Sequence, residues 1–422
     1  MLPRYGKVKA LERLGFATSP RVMRRLNARR VLEYAWVAEA FTASDVMTTT
    51  GLTRSTVIGV CDQLVGSGWL QELGDARAVG DYLKGRPARR YSLRDEAAVV
   101  VGVDAGFDRM SATVADLRGR VLGRSAVTLP TQSAAGPNAS ARLDLARRVV
   151  DDAITSALVN PGSVLALTVG VPAPVAVAGA SPGYDTDFWR LMNPGYGQLF
   201  ASSAPIVTVE NDANLAAIAE RSSTDGRGRQ LDSFIALLVG EGIGAGLMID
   251  SRLVRGRRGG AGEMRFLDHV TGVGSADGLA LCARRWAAEA IGSRALPEHS
   301  ALGRLDPAAL HERDVTRAAE AGDAAAAAIL DQLASRLAQI CLVLGALLDV
   351  DRIIVGGSVV ESLPGAIRRA ATILADSGDP AAPELVASAL GAEAVATGAV
   401  EHALARVLEH VFELSPGEVR TQ

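Results

Sequence analysis

In residues 209–217, VENDANLAA, Asn211 and Asp212 stand between a β-branched run (Ile206, Val207, Val209) and an alanine-rich helical pattern. A carboxylate where a strand gives way to a helix can take a proton from a hydroxyl as a general base, or can hold that hydroxyl by hydrogen bonding alone. By itself the pair also reads as a loop acid or a helix N-cap. A second set lies far upstream in TTTGLTRSTVIGVCDQLV, where Arg54, Ser55 and Thr56 open a helical pattern. Small hydroxyls and one arginine at an exposed helix start suit contacts to base edges and phosphates. A third set is the run KGRPARR, residues 84–90, with Lys84, Arg86 and Arg89 around a rigid Pro87. A glycine, an arginine and a proline in sequence present a guanidinium well to a narrow minor groove.

These residues need elements to position them. Val31, Leu32, Tyr34, Ala35 and Ala38 recur at helix spacing from Asn27, and a short second helix follows Thr42 with Ser44 as its expected N-cap. Gly51 falls in the turn before the third helix, which Thr53 can cap, and Val57, Val60, Cys61 and Leu64 then face inward. WLQEL and RRYSL alternate like strands around the polar loop 74–88, which makes a wing. The wing and the N-terminal arm are basic: residues 1–95 hold 16 Lys/Arg against 9 Asp/Glu in a chain whose net charge is −3. A basic module on an acidic body points to a polyanion partner for that module. The lesser alternative, for residues 1–22 taken alone, is a solvated, disordered arm.

From Ala97 the pattern becomes α/β. Val99–Val103, the run VLALTVGVPAPV and the run IVTVEND read as buried strands, DSFIALLVGEGIGAGLMIDSRLVRG begins a second set, and DRIIVGGSVVES is a strand entering a glycine turn and a helix. Strand–glycine turn–helix units in two groups point to two α/β halves around a cleft. The 422 residues and 48% hydrophobic content accommodate several domains. Cys61, Cys282 and Cys341 are widely spaced, which fits a reducing cytoplasm rather than a disulfide framework. There is no signal-peptide pattern, and no uninterrupted apolar run reaches the ~18 residues of a membrane span.

An ordered set of motifs from 98 to 408 resembles the ROK family of repressors, uncharacterised frames and sugar kinases: VGVDAG at 101–106, VGVPAPV at 169–175, VENDANLAAIAE at 209–220, GEGIGAGLMID at 240–250, GGAGE at 259–263, DRIIVGGSV at 351–359 and LGAEAVATGAVEHAL at 390–404. The resemblance implies an actin-like ATPase body of two α/β halves, preceded here by an α+β winged helix-turn-helix domain as in the family's transcriptional repressors. The expected divisions are a basic arm over 1–22, the DNA-binding domain over 23–96, and halves over 97–212 and 213–422, with the C-terminal helix packing back on the first half. It implies that Asp212 matches the kinases' base, that Asn211 and Glu263 bind sugar hydroxyls, and that Asp104, Gly106, Gly242, Gly244 and Gly246 form phosphate turns. Gly356 and Gly357 would line an adenosine.

Three departures from the family pattern bear on function. The kinases' Asp-x-Gly-Gly-Thr is here Asp104-Ala105-Gly106-Phe107-Asp108, with a side chain where backbone must meet phosphate and an anion facing an anion. Unit charges 4 Å apart at an effective dielectric of about 20 repel by roughly 4 kcal/mol, provided that Asp108 points inward. Phe266 stands where the family has a histidine, and Cys282, with His269 out of register, replaces its cysteine-rich zinc loop, so no metal site is expected. Trp189 follows DTDF, without the sugar-contacting asparagine. The sequence therefore leads to a regulator, expected to be a repressor and not an enzyme, with no cofactor. Its expected partners are an operator duplex, a sugar or sugar-derivative effector and a second copy in a homodimer or dimer of dimers, away from membranes. The alternatives are a sugar kinase with a DNA-binding appendage and a regulator whose body only dimerises.

Overall fold

The computed structural model describes residues 20–74, 88–129, 138–182, 187–293 and 296–416. The chain begins with α1 (Pro20–Val37), β1 (Phe41–Thr42), α2 (Ala43–Thr50), α3 (Arg54–Gly66), β2 (Leu70–Leu73) and β3 (Arg90–Leu93). Helix α1 already starts at Pro20, ahead of the periodic residues that signalled it and inside the stretch read as an arm. The N-cap of α2 is Thr42 rather than Ser44: Asp45 accepts from the Thr42 N–H at 2.7 Å and from its hydroxyl at 2.8 Å. An acid three residues past the cap closes a capping box that Ser44 could not. Gly51, at φ +72°, makes the turn into α3, and Thr53 caps that helix by accepting from the Thr56 N–H. Val57, Val60, Cys61 and Leu64 are buried, as their spacing requires. The strands pair antiparallel in the order β1-β3-β2, which completes a winged helix-turn-helix.

Two five-stranded sheets follow. The first contains β4 (Val99–Ala105), β5 (Arg109–Asp116), β6 (Val121–Thr128), β7 (Val164–Val171) and β8 (Ile206–Asn211), with α4 (Ala139–Ser156) after β6 and the short α5 (Asp187–Met192) and α6 (Tyr196–Leu199) before β8. Its order is β6-β5-β4-β7-β8, with β4 antiparallel to β5 and parallel to β7. After α7 (Asp212–Ser222) come β9 (Phe234–Val239), β10 (Ile243–Ile249), β11 (Arg252–Val254), α8 (Leu279–Gly292), α9 (Glu312–Glu320), α10 (Ala324–Leu348), β12 (Arg352–Gly356), α11 (Val359–Ser362), α12 (Pro364–Asp376), β13 (Glu384–Ala387) and α13 (Ala394–Glu409). The second sheet runs β11-β10-β9-β12-β13 and repeats the order of the first. This pair of like-ordered α/β halves is the actin-like ATPase fold.

Contacts divide the chain into two compact units. In one, the chain up to Gly170 is joined by Pro194–Val209 and the stretch from Ala399 onward; the other comprises Val171–Asn193 and Glu210–Gly398. In the first unit a single apolar cluster contains Leu64, Trp69 and Leu70 of the winged helix, Val100 and Leu165 of the sheet, and Leu404, Val407 and Val411 from the C-terminal helix and its end. The Trp69 Nε1–H donates to Val411 O at 3.1 Å, and Arg118 donates to the carbonyls of Trp36 and Ala38 at 2.9 Å each. The core of the second unit is built on α8, α10 and α12 against β9 and β12. Helix α10 is long and apolar enough to cross a membrane by composition, but its inward face, Ile329, Leu333, Leu337 and Leu344 among others, belongs to that core.

Candidate functional site

Strand β8 ends and α7 begins at Asn211-Asp212, so the pair lies at a helix N-terminus. Asn211 is buried and committed on two sides: its Oδ1 accepts from the Asn214 N–H at 3.0 Å, and its Nδ2 donates to Ala173 O at 3.2 Å. It is the N-cap of α7 and a tie to the segment that follows β7. One donor and one acceptor position of the amide are left for a ligand. The sequence reading did not single out Glu210. It is buried, and its carboxylate accepts from the Asn211 N–H and Asn214 Nδ2 at 3.0 Å each and from Arg255 Nε at 2.6 Å. A buried acid needs such partners. Further along α7, Glu220 is buried and accepts from the Ser388 hydroxyl and the Arg227 N–H, with its carboxyl raised by burial.

Glu263 reaches the same neighbourhood through backbone. Gly262, at φ +90°, lies so close to Ala245 O that a Cβ there would overlap it, and Glu263 forms a bridge with Gly244 on β10. Gly244 in turn lies against Ala213, the residue after Asp212. Burial pushes the Glu263 carboxyl up to about 7, and no hydrogen bond reaches it from the described residues. Such a carboxyl can donate or accept near neutrality, which suits a sugar hydroxyl. Of the expected phosphate glycines in this unit, Gly246 has a packing role: a Cβ would overlap Ala213 O and meet Ala217 Cβ at 2.7 Å, so it seats α7 on β10. A Cβ at Gly242 would meet nothing within 4 Å, and Gly357 takes φ +91° after β12, next to Gly356.

In the first unit, β4 and β5 are joined at Gly106-Phe107-Asp108, directly after Asp104 and Ala105. Phe107 and Asp108 are both exposed, so solvent screens much of the charge repulsion expected of an inward-facing Asp108. Behind the turn lies Arg142 of α4, fully buried, whose Nη2 donates to Ala105 O at 2.8 Å and to Gly106 O at 2.7 Å. A lone arginine on an amphipathic helix gave no signal of this.

On the winged helix, Arg54 is exposed at the first turn of α3 and makes no hydrogen bond or ion pair with the described residues. The Ser55 and Thr56 hydroxyls lie 3.2 and 2.9 Å from Thr53 Oγ1, in one hydroxyl cluster. Arg89 pairs with Asp62 at 2.7 Å and with Glu72 at 2.5 Å, and lies over the Tyr91 ring, so its charge is matched within the domain. Lys84 and Arg86 fall outside the described residues.

The residues at the family's zinc loop do not fit that metal. Phe266 and His269 lie on a short 3-10 turn, Arg265–His269, and the buried Cys282 thiol is pushed up by burial, with Asp277 O its hydrogen-bond partner at 4.0 Å. No cluster of three or more His, Cys, Asp or Glu suited to a metal occurs among the described residues.

Comparison with known proteins follows the same lines. The model of the ROK family matches residues 100–406. A xylose repressor of Caldicellulosiruptor bescii is 22% identical over 260 residues, 60% of this chain and 62% of that one, so the match spans less than two thirds of the repressor. The crystal structure of a ROK family transcriptional regulator, a homologue of the E. coli MLC protein, superposes with a TM-score of 0.70 at 19% identity, covering 92% of this chain and 99% of that one. A ROK family glucokinase from Streptomyces griseus, in complex with glucose and AMPPNP, gives a TM-score of 0.55 at 26% identity, covering 72% and 99%.

Proposed function

The chain belongs to the ROK family, and on that premise we propose that it is a cytoplasmic, sequence-specific DNA-binding transcriptional regulator, a repressor, whose body senses a sugar or sugar derivative. The observation that carries this reading is the winged helix-turn-helix ahead of the body, with Arg54 exposed and unpaired among the described residues at the start of α3. In a helix-turn-helix those first residues meet base edges in the major groove. Ser55 and Thr56 add hydroxyls, and Lys84, Arg86 and Arg89 are the further basic residues proposed to meet the duplex. A homodimer would set two such helices about 34–36 Å apart on one face of a duplex. In the body, Asp212, Glu263 and the free valences of Asn211 offer both donors and acceptors to a polyol.

Selection of duplexes from a random pool by the full-length protein tests the first part: a two-fold symmetric motif is expected, and Arg54→Ala should lose it. Thermal shift against a panel of sugars, sugar phosphates and ATP tests the second, with stabilisation by one sugar or derivative and not by ATP as the expected result. A sugar kinase is the second reading, favoured by the retained Asp212 and Glu263 and opposed by Phe107, a side chain where the kinases' turn has a glycine. ATP-dependent phosphorylation of a sugar, abolished in Asp212→Asn, would establish it instead.

A further inference from the structure

The loop between the Arg265–His269 turn and α8 contains few side chains able to fix it, yet it has a defined course. Four of its carbonyls, at alternate residues, are taken up by one face of α10. Gln339 Nε2 donates to Thr271 O at 2.7 Å. Arg336 Nη1 donates to Val273 O, and its Nη2 donates to Ser275 O at 2.7 Å and Asp277 O at 2.8 Å. Arg336 is 4% exposed, and none of the ion pairs among the described residues includes it. The nearby Asp277 carboxylate pairs instead with Arg285, at 2.8 Å. A buried cation without an anion is costly, and here carbonyl dipoles carry the compensation.

What this loop holds is the Gly240–Gly242 turn. The Gly278 N–H donates to Glu241 O at 2.7 Å, the Ala280 N–H donates to Gly240 O at 3.1 Å, and Asp277 bridges to Gly242. Gly278 lies so close to Gly240 O that a Cβ would overlap it. The turn is also tied through the Glu241 carboxylate to Arg284 at 2.5 Å. Displacement of Asp277 and Gly278, to which the 273–276 backbone leads, therefore disturbs the backbone of residues 240–242.

We propose that the Arg336 guanidinium does in this chain what a bound metal does at a cysteine-rich loop: it gathers the 271–277 backbone around one buried positive charge and so positions the Gly240–Gly242 turn beside Gly244 and Glu263. A guanidinium suits this because its planar fork reaches three carbonyls at once, where an ammonium on a flexible stem reaches fewer. The loop then depends on neither metal nor thiolate. Cys282 remains a neutral, buried thiol, and Arg336 is a positioning residue whatever ligand the body takes.

Hydrogen–deuterium exchange on the full-length protein tests this, with wild type, Arg336→Lys and Arg336→Ala each measured with and without EDTA. In wild type the amides of 240–246 and 271–282 should be protected and indifferent to EDTA. In Arg336→Lys, which keeps the buried stem and charge and so remains usable if the alanine variant does not fold, both segments should exchange at least about tenfold faster, the scale of a lost charge-assisted hydrogen bond. Residues 20–66 and 364–376 should not change. Methylguanidinium, but not methylammonium, should restore protection to Arg336→Ala. Unchanged exchange in Arg336→Lys, uniform loosening of the whole unit, or a wild-type loop freed by EDTA would each overturn the proposal.

Discussion

Replacing Glu263 with glutamine removes a carboxyl that burial raises from the usual 4.5 to about 7, with the shape of the side chain kept. Between those two values the folded chain holds a proton that the unfolded chain has already released. Folding is therefore favoured below the unfolded value, and this contribution is lost as pH rises toward about 7, beyond which the difference is flat. At about 1.36 kcal/mol per pH unit the gap amounts to about 3 kcal/mol, trimmed to about 2 kcal/mol by the solvent that still reaches a part-exposed carboxyl. Glutamine has no such dependence. Urea unfolding of wild type and Glu263→Gln, followed at steps from about pH 4.5 to about pH 8, should show the variant gaining about 2–3 kcal/mol on wild type across that window. Glu220 and Glu401, also raised by burial, titrate alike in both proteins and cancel. A stability difference that stays constant with pH would refute the assignment of Glu263 as a half-buried carboxyl without a compensating charge.

Arg54→Ala should weaken specific duplex binding by about 1–3 kcal/mol in a mobility-shift titration and relax sequence preference at one position of each half-site. Asp212→Asn should leave ligand-free DNA affinity intact while removing the response to whichever sugar stabilises wild type in thermal shift; an unchanged response would take Asp212 out of the effector site. Trp69→Phe keeps an aromatic ring at the site but removes the indole N–H and part of the buried bicycle, stranding Val411 O without its donor, so a loss of at least about 1–3 kcal/mol is expected by denaturation. Exchange at 408–414 should rise with it, and a variant as stable as wild type would show the bond to be idle.

Elements set by local pattern were legible. The inward face of α3, the buried strands β4 and β7 and the strand-to-helix step at Asn211-Asp212 follow from periodicity and glycine placement alone. The cap of α2 was misplaced by two residues because Ser44 is in isolation at least as good a cap as Thr42, and only the bonds that Thr42 donates to Asp45 decide between them. At the candidate site the residue types were visible but not how they are used. Asn211 carries much of its hydrogen bonding inside the fold, and Glu210, adjacent in VEND, supports the site through Arg255, 45 positions away. Arg142 and Arg336 gave no signal, since an arginine on an amphipathic helix reads as a solvated side chain until the carbonyls it serves are brought to it from 36–37 and 59–63 residues away. The repulsion at Gly106-Phe107-Asp108 was expected only of an inward-facing Asp108, and its exposure is set by the turn's geometry, which composition does not carry.

The single apolar cluster shared by the winged helix, the first sheet and the C-terminal helix sets how strictly DNA would be measured. A reading head on a loose tether tolerates many separations between half-sites, because the tether absorbs the difference at little entropic cost. Here there is no tether: Trp69 is tied to Val411, Arg118 to Trp36 and Ala38, and the same side chains fill both the head and the body beneath it. Such a head is a calliper. On the proposed DNA-binding role, a dimer of such heads would discriminate against half-sites set a few base pairs too far apart, and a truncation removing the chain after Leu404 would cost the head its footing as well as the body its last helix turn.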